Sequence, residues 1–210
     1  MLSESLVGKA LAKGLVSVRV HNLRDYAADK HHQADDKPFG GGAGMVLKVE
    51  PIYSAIKTLS GKKYGAKPYV LYLSPQGTVL NQKCAMDLSA RQRIILLCGH
   101  YEGIDERAMR WIDAEISIGD YVLTGGELPA MVLIDSVMRM VPGVVKERSS
   151  VENDSFFKRG LDHSHYTRPE KFKRLAVPKV LLSGNHKAIA QWREINAAEN
   201  TRKKRPDLLK

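Results

Sequence analysis

Strand-like and helix-like stretches alternate along most of this chain, and three of the strand-like ones end in glycine- or proline-rich turns. Residues 69–73 run into Ser74-Pro75-Gln76-Gly77, the continuous apolar run 93–98 enters "CGHYEGIDER" (98–107), and Ile116 leads into "SIGDYVLTGGELP" (117–129). Such alternation predicts an α/β fold on a mostly parallel sheet. The most restrictive piece is "EISIGDYVLTGGELPA" (115–130). Ile116, Ile118, Tyr121, Val122 and Leu123 have strand character, yet Gly119-Asp120 and Gly125-Gly126-Glu127 set bends and carboxylates among them. Open α/β sheets bind ligands beyond their strand ends, and glycine lets a backbone approach a flat ligand closely. Three such ends in succession predict a pocket.

The remaining elements follow from periodicity. Leu2, Leu6, Ala10 and Leu11 share one side of a helix over 2–13, closed by Gly14, and Val16, Val18 and Val20 alternate as a strand. A helix is expected over 79–90. Another covers "LPAMVLIDSVMRMV" (128–141), opened by Pro129 and stopped by Pro142-Gly143. Residues 146–160 lose periodicity and read as a linker. A basic helix follows over 185–198, with Ala188, Ile189, Trp192 and Ile195 on one face. The expected organisation is an α/β domain over 1–145, a linker over 146–160 and a basic helical domain over 161–210.

Charge narrows the partner. The formal net charge is +10, and from Arg168 onward twelve Lys/Arg stand against four acids. A basic surface binds polyanions by releasing their counterions, so nucleic acid is the leading partner and a merely solvated tail the plain alternative. Cys84 and Cys98 lack any CxxC or Cys/His ligand spacing. Reduced, buried thiols of this kind predict a cytoplasmic protein. No apolar run is long enough to span a bilayer, so no membrane partner is expected.

The pocket itself is not a phosphate site. GxxxxGK[ST] is absent, and "GGGAGM" does not satisfy GxGxxG. Its side chains are Tyr101, Glu102, Asp120, Tyr121 and Glu127, with no basic clamp. Backbone amides, aromatic rings and acids suit a nucleoside carrying positive charge, a description that S-adenosyl-L-methionine meets. Asp135, Ser136 and Arg139 interrupt the apolar pattern of the 129–141 helix. Asp135 and Arg139 are i, i+4 neighbours, so they read as an intrahelical pair, or the arginine faces an anionic substrate or developing charge. Asp154 alone reads as a solvated loop acid. His163 and His165 form an HxH pair with no further ligand in view, which favours hydrogen bonding over metal binding.

At "LLCGHYEGIDER" (96–107), "SIGDYVLTGGELPAMVLIDSVMRMVPGV" (117–144), "DHSHYTRPE" (162–170) and "VPKVLLSGNHKAIAQWR" (177–193) the chain resembles the bacterial tRNA (guanine-37-N1) methyltransferases, the TrmD-type members of the SPOUT class. "DDKPFGGGAGM" (35–45) and "LYLSPQG" (71–77) match as well, so the resemblance spans essentially the whole chain. It implies a trefoil-knotted, mostly parallel sheet with helices on both faces, a small helical C-terminal domain, and a homodimer with its active site at the subunit interface. It also implies S-adenosyl-L-methionine as cofactor, and family behaviour suggests magnesium. Carried over by motif, the cofactor residues are Tyr72, Leu73, Ser74, Pro75, Gly99, Tyr101, Glu102, Gly103, Ser117, Ile118, Gly119, Tyr121, Leu123, Gly125, Gly126 and Pro129.

The resemblance gives Asp154 the role of general base on guanine N1 and Arg139 that of stabilising charge growing on O6. Substrate contacts carried over are Asp35, Lys37, Gly40, Gly44, Asp162, His165 and Arg168, with the tRNA anticodon arm as partner. No metal ligand is carried over. The family often has arginine and proline where Lys37 and Ala43 stand here, which removes a planar fork from the anticodon loop contact. Family members usually carry a further strand ahead of the position of Met1, and its absence would expose a sheet edge. The competing readings are a related knotted RNA methyltransferase with another base target and a non-catalytic RNA-binding module.

Overall fold

A computed structural model describes residues 2–158 and 160–209. The chain forms two compact units, Met1–Lys146 and Glu147–Lys210. In the first, α1 (Ser5–Ala12) precedes the short antiparallel pair β1 (Asp35–Asp36) and β2 (Val46–Leu47). Then come α2 (Val49–Leu59), β3 (Tyr69–Val79), α3 (Gln82–Ser89), β4 (Ile94–Cys98), β5 (Ala114–Ser117) and α4 (Glu127–Met138). Strands β3, β4 and β5 form a parallel sheet in the order β4-β3-β5.

The α/β expectation holds, and the period-2 geometry of a strand explains how both faces are filled. Leu71, Leu73 and Ile116 turn to the face covered by α3 and α4, where Ala85, Leu88, Ala130, Leu133 and Val137 meet them. Val70 turns the other way, joined by Ile95 and Leu97, against Ile52 and Ile56 of α2 and Ala108. Helices cover both faces of the sheet, so even β4, an edge strand whose five residues are each partly buried, reads "IILLC". Leu71 and Ile52 are fully buried, each worth roughly 2 kcal/mol of transfer free energy. Val7 and Ala10 of α1 form a third cluster with Met138 and Val144.

Several boundaries differ from the sequence reading. Val16, Val18 and Val20 form no strand: no ladder partner takes up their backbone, and Val20 is 84% exposed. The 74–77 turn does not end its strand. Leu73 and Thr78 both pair with Ile116, so residues 74–77 loop out while β3 continues to Val79. Helix α3 starts at Gln82 because the Asn81 side chain caps it, accepting from the Cys84 N–H at 2.9 Å. Helix α4 starts at Glu127, which puts Pro129 within a first turn whose N–H groups lack helical partners anyway.

The second unit holds α5 (Arg148–Glu152), the antiparallel pair β6 (Lys171–Phe172) and β7 (Leu175–Ala176), and α6 (His186–Lys204). The stretch expected to lack periodicity therefore contains a short helix. Helix α6 is capped by Asn185, whose side chain accepts from the Ala188 N–H at 3.1 Å, and runs six residues past the expected end at 198. Its last turn carries Arg202, Lys203 and Lys204, the favourable sign for a helix C-terminus. Of the apolar face read from the sequence, Ile195 lies 53% exposed, and the helix makes its contacts through Asn196, Asn200 and Thr201.

Candidate active site

The looped-out 74–77 turn of β3 and the glycine-bearing ends of β4 and β5 meet at the C-terminal edge of the parallel sheet. The segment after β5 returns to the end of β4: Gly126 N–H donates to the Gly99 carbonyl at 2.8 Å, and His100 bridges Gly125. Contact is so close that a Cβ on Gly126 would lie 2.6 Å from Cys98 Cα. One on Gly77 would lie 2.4 Å from the Glu115 carbonyl carbon and the Ile116 nitrogen. Backbone is packed on backbone at both places, which resolves the apparent conflict within 115–130. Its first apolar residues are core, with Ile116 4% exposed, whereas Tyr121, Val122 and Leu123 lie on an exposed loop.

Tyr72 organises the same edge from below. Its side chain is 8% exposed and sits under the 99–103 loop, where Cβ atoms on Gly99 and Gly103 would stand 3.0 and 3.5 Å from its hydroxyl. Burial, reinforced by Glu115, raises its pKa, so it stays a neutral phenol. Ser74 Oγ accepts from Gln76 N–H at 3.0 Å and shapes the looped-out turn. Ser117 Oγ does the same for its own loop, accepting from Gly119 N–H at 3.1 Å and donating to the Gly119 carbonyl. Gly119 has φ +144, and a Cβ there would lie 2.6 Å from the Tyr121 ring, which folds back so that its hydroxyl donates to the Ile118 carbonyl. Tyr101 holds a left-handed φ of 58° with its ring edge-on to His100 at 4.5 Å. Burial, with Glu127 nearby, pushes the Cys98 thiol up to about 11.

All the cofactor candidates of the first unit are thus gathered at one edge. Pro129 joins them through the first turn of α4. The glycine-rich 40–44 loop lies alongside: Glu102 N–H donates to the Met45 carbonyl at 3.1 Å, and Gly44, at φ +85, faces the Glu102 side chain. Asp35 is held by Arg24 at 3.2 Å. Lys37 is exposed, and Gly40 has φ +87 with open space around it. Phe39 is fully exposed at the loop tip between Pro38 and Gly40, a position its glycine and proline neighbours mark in the sequence. Arg139 caps the end of α4, where its N–H donates to the Asp135 carbonyl at 3.3 Å.

The second unit builds a separate polar pocket of about 380 Å³, lined among others by Asp154, Asp162, His163, His165, Asn200 and Lys204. Helix α6 fixes it. Asn196 Oδ1 accepts from Ser164 N–H at 2.7 Å, Asn200 donates to the Asp162 carbonyl and Ser164 Oγ, and Thr201 Oγ1 accepts from Leu161 N–H. Asp162 then takes both imidazoles, His163 Nδ1 at 2.6 Å on one oxygen and His165 Nε2 at 2.9 Å on the other. Burial acts to raise the Asp162 pKa, but the His163 N–H and the two rings outweigh it and the net shift is downward. The sequence reading found no third donor beside the HxH pair; Asp162 is one, and the three donor groups lie within 4.8 Å of one another. Asp154 is an exposed turn residue with its N–H on the Val151 carbonyl, and Arg168 is exposed ahead of a cis Pro169.

Among the described residues no helix is long and apolar enough to cross a membrane. The family model of the tRNA (Guanine-1)-methyltransferase TrmD matches residues 1–210. A tRNA (guanine-N(1)-)-methyltransferase of Endomicrobium trichonymphae is 53% identical over all of this chain and 93% of its own length. Proteins of the same name from Carboxydothermus hydrogenoformans and Clostridioides difficile are 52% and 50% identical, again over the whole chain and over 81% and 91% of their own lengths. Full-length similarity of this degree, on a parallel sheet whose strand ends converge as described, has one meaning: the chain belongs to the TrmD family of tRNA (guanine-1)-methyltransferases.

Proposed function

We propose that this chain methylates N1 of guanine 37 in tRNA, beside the anticodon, using S-adenosyl-L-methionine bound at the C-terminal edge of the sheet. Family membership carries the reaction. The observation that supports the cofactor is the cradle itself. A Cβ on Gly126 would meet Cys98 backbone at 2.6 Å, those on Gly119 and Gly125 would run into the Tyr121 and Glu127 side chains, and one on Gly99 would press on Tyr72 at 3.0 Å. The only cation of segments 72–77, 98–107 and 117–129 is Arg107, which is paired with Asp105. A site whose one cation is paired, flanked by Glu102, Asp120, Glu127 and the rings of Tyr101 and Tyr121, suits a nucleoside bearing a sulfonium and an amino group. When bound, the cofactor supplies an electrophilic methyl group for in-line displacement. The close crossing at Gly126 and Gly99 supports a knotted path for the backbone.

Guanine N1 carries a proton at neutral pH and attacks poorly until it leaves. Asp154 accepts that proton as general base, and Arg139 stabilises the negative charge that grows on O6. Asp162, His165 and Arg168 hold the RNA near Asp154, while Asp35, Lys37, Gly40 and Gly44 contact the anticodon arm. The α6 cations bind its phosphates. A second copy of the chain completes the site, so the working form is a homodimer.

The deciding experiment pairs two measurements. Calorimetry with S-adenosyl-L-methionine should show saturable binding to the folded protein, and its absence would sink the cofactor assignment. Asp154→Ala should lower single-turnover methylation of tRNA by about 10²–10⁴-fold while cofactor affinity changes less than about threefold. Wild-type turnover by that variant removes Asp154 as base. Mass mapping of the product locates the methyl group; a position other than guanine 37 favours the related RNA methyltransferase.

A further inference from the structure

The opposite end of the same sheet carries a second feature that the methyl-transfer site does not use. Residues 51–86 contain five lysines and no acid. Four of them, Lys57, Lys62, Lys63 and Lys67, are exposed in the segment leading from α2 into the start of β3. Arg91 and Arg93 arrive beside them at the start of β4, where Tyr69 N–H donates to the Arg93 carbonyl at 3.0 Å. Among the described residues none of these six cations forms an ion pair with an acid. Arg93 instead donates to two neutral carbonyls, those of Ala66 and Leu59, which fixes its position without cancelling its charge.

Aromatic rings lie among the cations. Lys63 and Arg93 stand 4.9 and 5.4 Å from the Tyr64 ring, Arg91 lies 4.4 Å over Tyr69, and Lys57 is 5.5 Å from Tyr53. Tyr53 packs on Trp111 at 4.6 Å, and both remain more than a third exposed. The acids nearest in the chain to this end are Glu50 in the first turn of α2, Asp87 on α3 and Asp113, whose carboxylate is taken up by Val70 N–H at 2.8 Å; Asp25 lies on the 23–26 turn that packs against α2. They leave a clear excess of positive charge. A solvated lysine face needs neither the absence of acids nor interleaved rings, whereas a groove for nucleic acid uses both.

We propose that the N-terminal end of the sheet is a second RNA-binding surface, which grips backbone phosphates of a tRNA segment other than the one presenting the methyl acceptor. The five-residue pairing of β3 with β4 sets the two ends about 13 Å apart, so one nucleotide does not occupy both. The surface rests on tRNA being the substrate, and the unaltered protein tests that separately. No tRNA binding by the unaltered protein overturns the substrate assignment, and the surface with it.

The test replaces Lys62, Lys63 and Lys67 with alanine and follows tRNA binding by fluorescence anisotropy from about 50 to 200 mM salt. The expected result is a Kd raised about tenfold at low salt and a log Kd–log salt slope reduced by about 2, with S-adenosyl-L-methionine affinity unchanged. A matched variant with Lys9, Lys13 and Lys146 replaced removes the same charge from elsewhere in the first unit and should keep the original slope. Unchanged affinity and slope in the first variant overturn the proposal. An equal loss in both variants also overturns it, since net charge rather than this surface would then be the cause.

Discussion

The two ends of one parallel sheet could hardly differ more. At the C-terminal end, backbone is packed on glycine, the acids are Glu102, Asp105, Glu106, Asp120 and Glu127, and the one cation in the three loops, Arg107, is paired with Asp105. At the N-terminal end, six unpaired cations stand among tyrosines, with the chain free of acid from residue 51 to 86. A net charge of +10 describes neither end. Position sorts the charge into an end suited to a small cationic ligand and an end suited to a polyanion, with the same strands as the spacer.

The largest effect should come from filling the C-terminal end. Gly126 has φ −79°, a conformation any residue adopts, so its requirement is for space alone. Gly126→Ala drives a Cβ to 2.6 Å from Cys98 Cα and should cost about 3 kcal/mol or more in urea unfolding. Gly77→Ala, at 2.4 Å from the β5 backbone, should match it. Gly41 has the opposite character, with φ +79° and nothing within 4 Å; Gly41→Ala should cost only about 1 kcal/mol. Equal costs at Gly126 and Gly41 would mean that the crossing at β4 is not tightly packed.

Salt should separate the ends next. Binding of tRNA should weaken more than tenfold between about 50 and 200 mM salt, because each phosphate contact releases counterions. Cofactor affinity over the same range should move less than about twofold, since its loops offer no cationic clamp. A steep salt dependence of cofactor binding would break the comparison.

How much of this was legible in the sequence depended on whether a residue's role is local. The α/β alternation and the continuous apolar run of β4 are periodic, and local rules reach them; the cap at Asn81 is also local, yet the apolar pattern alone set that helix start at 79. The looping out of 74–77 is not: nothing in "SPQG" says that Leu73 and Thr78 share a partner in Ile116, a residue about forty positions away. Val16, Val18 and Val20 alternate correctly yet form no strand, because a strand needs a neighbour that the pattern cannot supply. At the site, the glycine loops could be named in advance, but the tight approach of Gly126 to Cys98 could not. Asp162 as the shared acceptor of His163 and His165 follows from a fold of the backbone onto α6, which no spacing rule encodes.

A smaller effect concerns Cys98, the last residue of β4, at the floor of the C-terminal end. Burial together with Glu127 pushes its thiol up to about 11, so at neutral pH its thiolate fraction is about a hundredfold below that of an ordinary cysteine at 9.0. Alkylation followed by mass spectrometry should therefore be slow at Cys98 at pH 8 in the folded protein and fast in urea. Rapid folded-state modification would place Cys98 in water and open the floor of the pocket.

The smallest effect belongs to Asp105, where the 99–105 loop is anchored. Its carboxylate accepts from the Arg107 side chain at 2.7 and 2.9 Å and from the Arg107 N–H, and these bonds hold its pKa below the usual carboxylate range. The sign follows from linkage: a depressed folded pKa contributes stability that is complete above the unfolded value of about 3.9 and is lost as pH falls through the folded one. Asp105→Asn should therefore lower thermal stability slightly at neutral pH, and the gap should close in acid. Arg107 is 67% exposed, so the ionic share of the gap should also shrink in high salt. Both proteins keep the backbone bond from Asp105 N–H to the Leu47 carbonyl, at 2.9 Å, so a gap that never narrows as pH falls through the acid range would remove the carboxylate charge as its source.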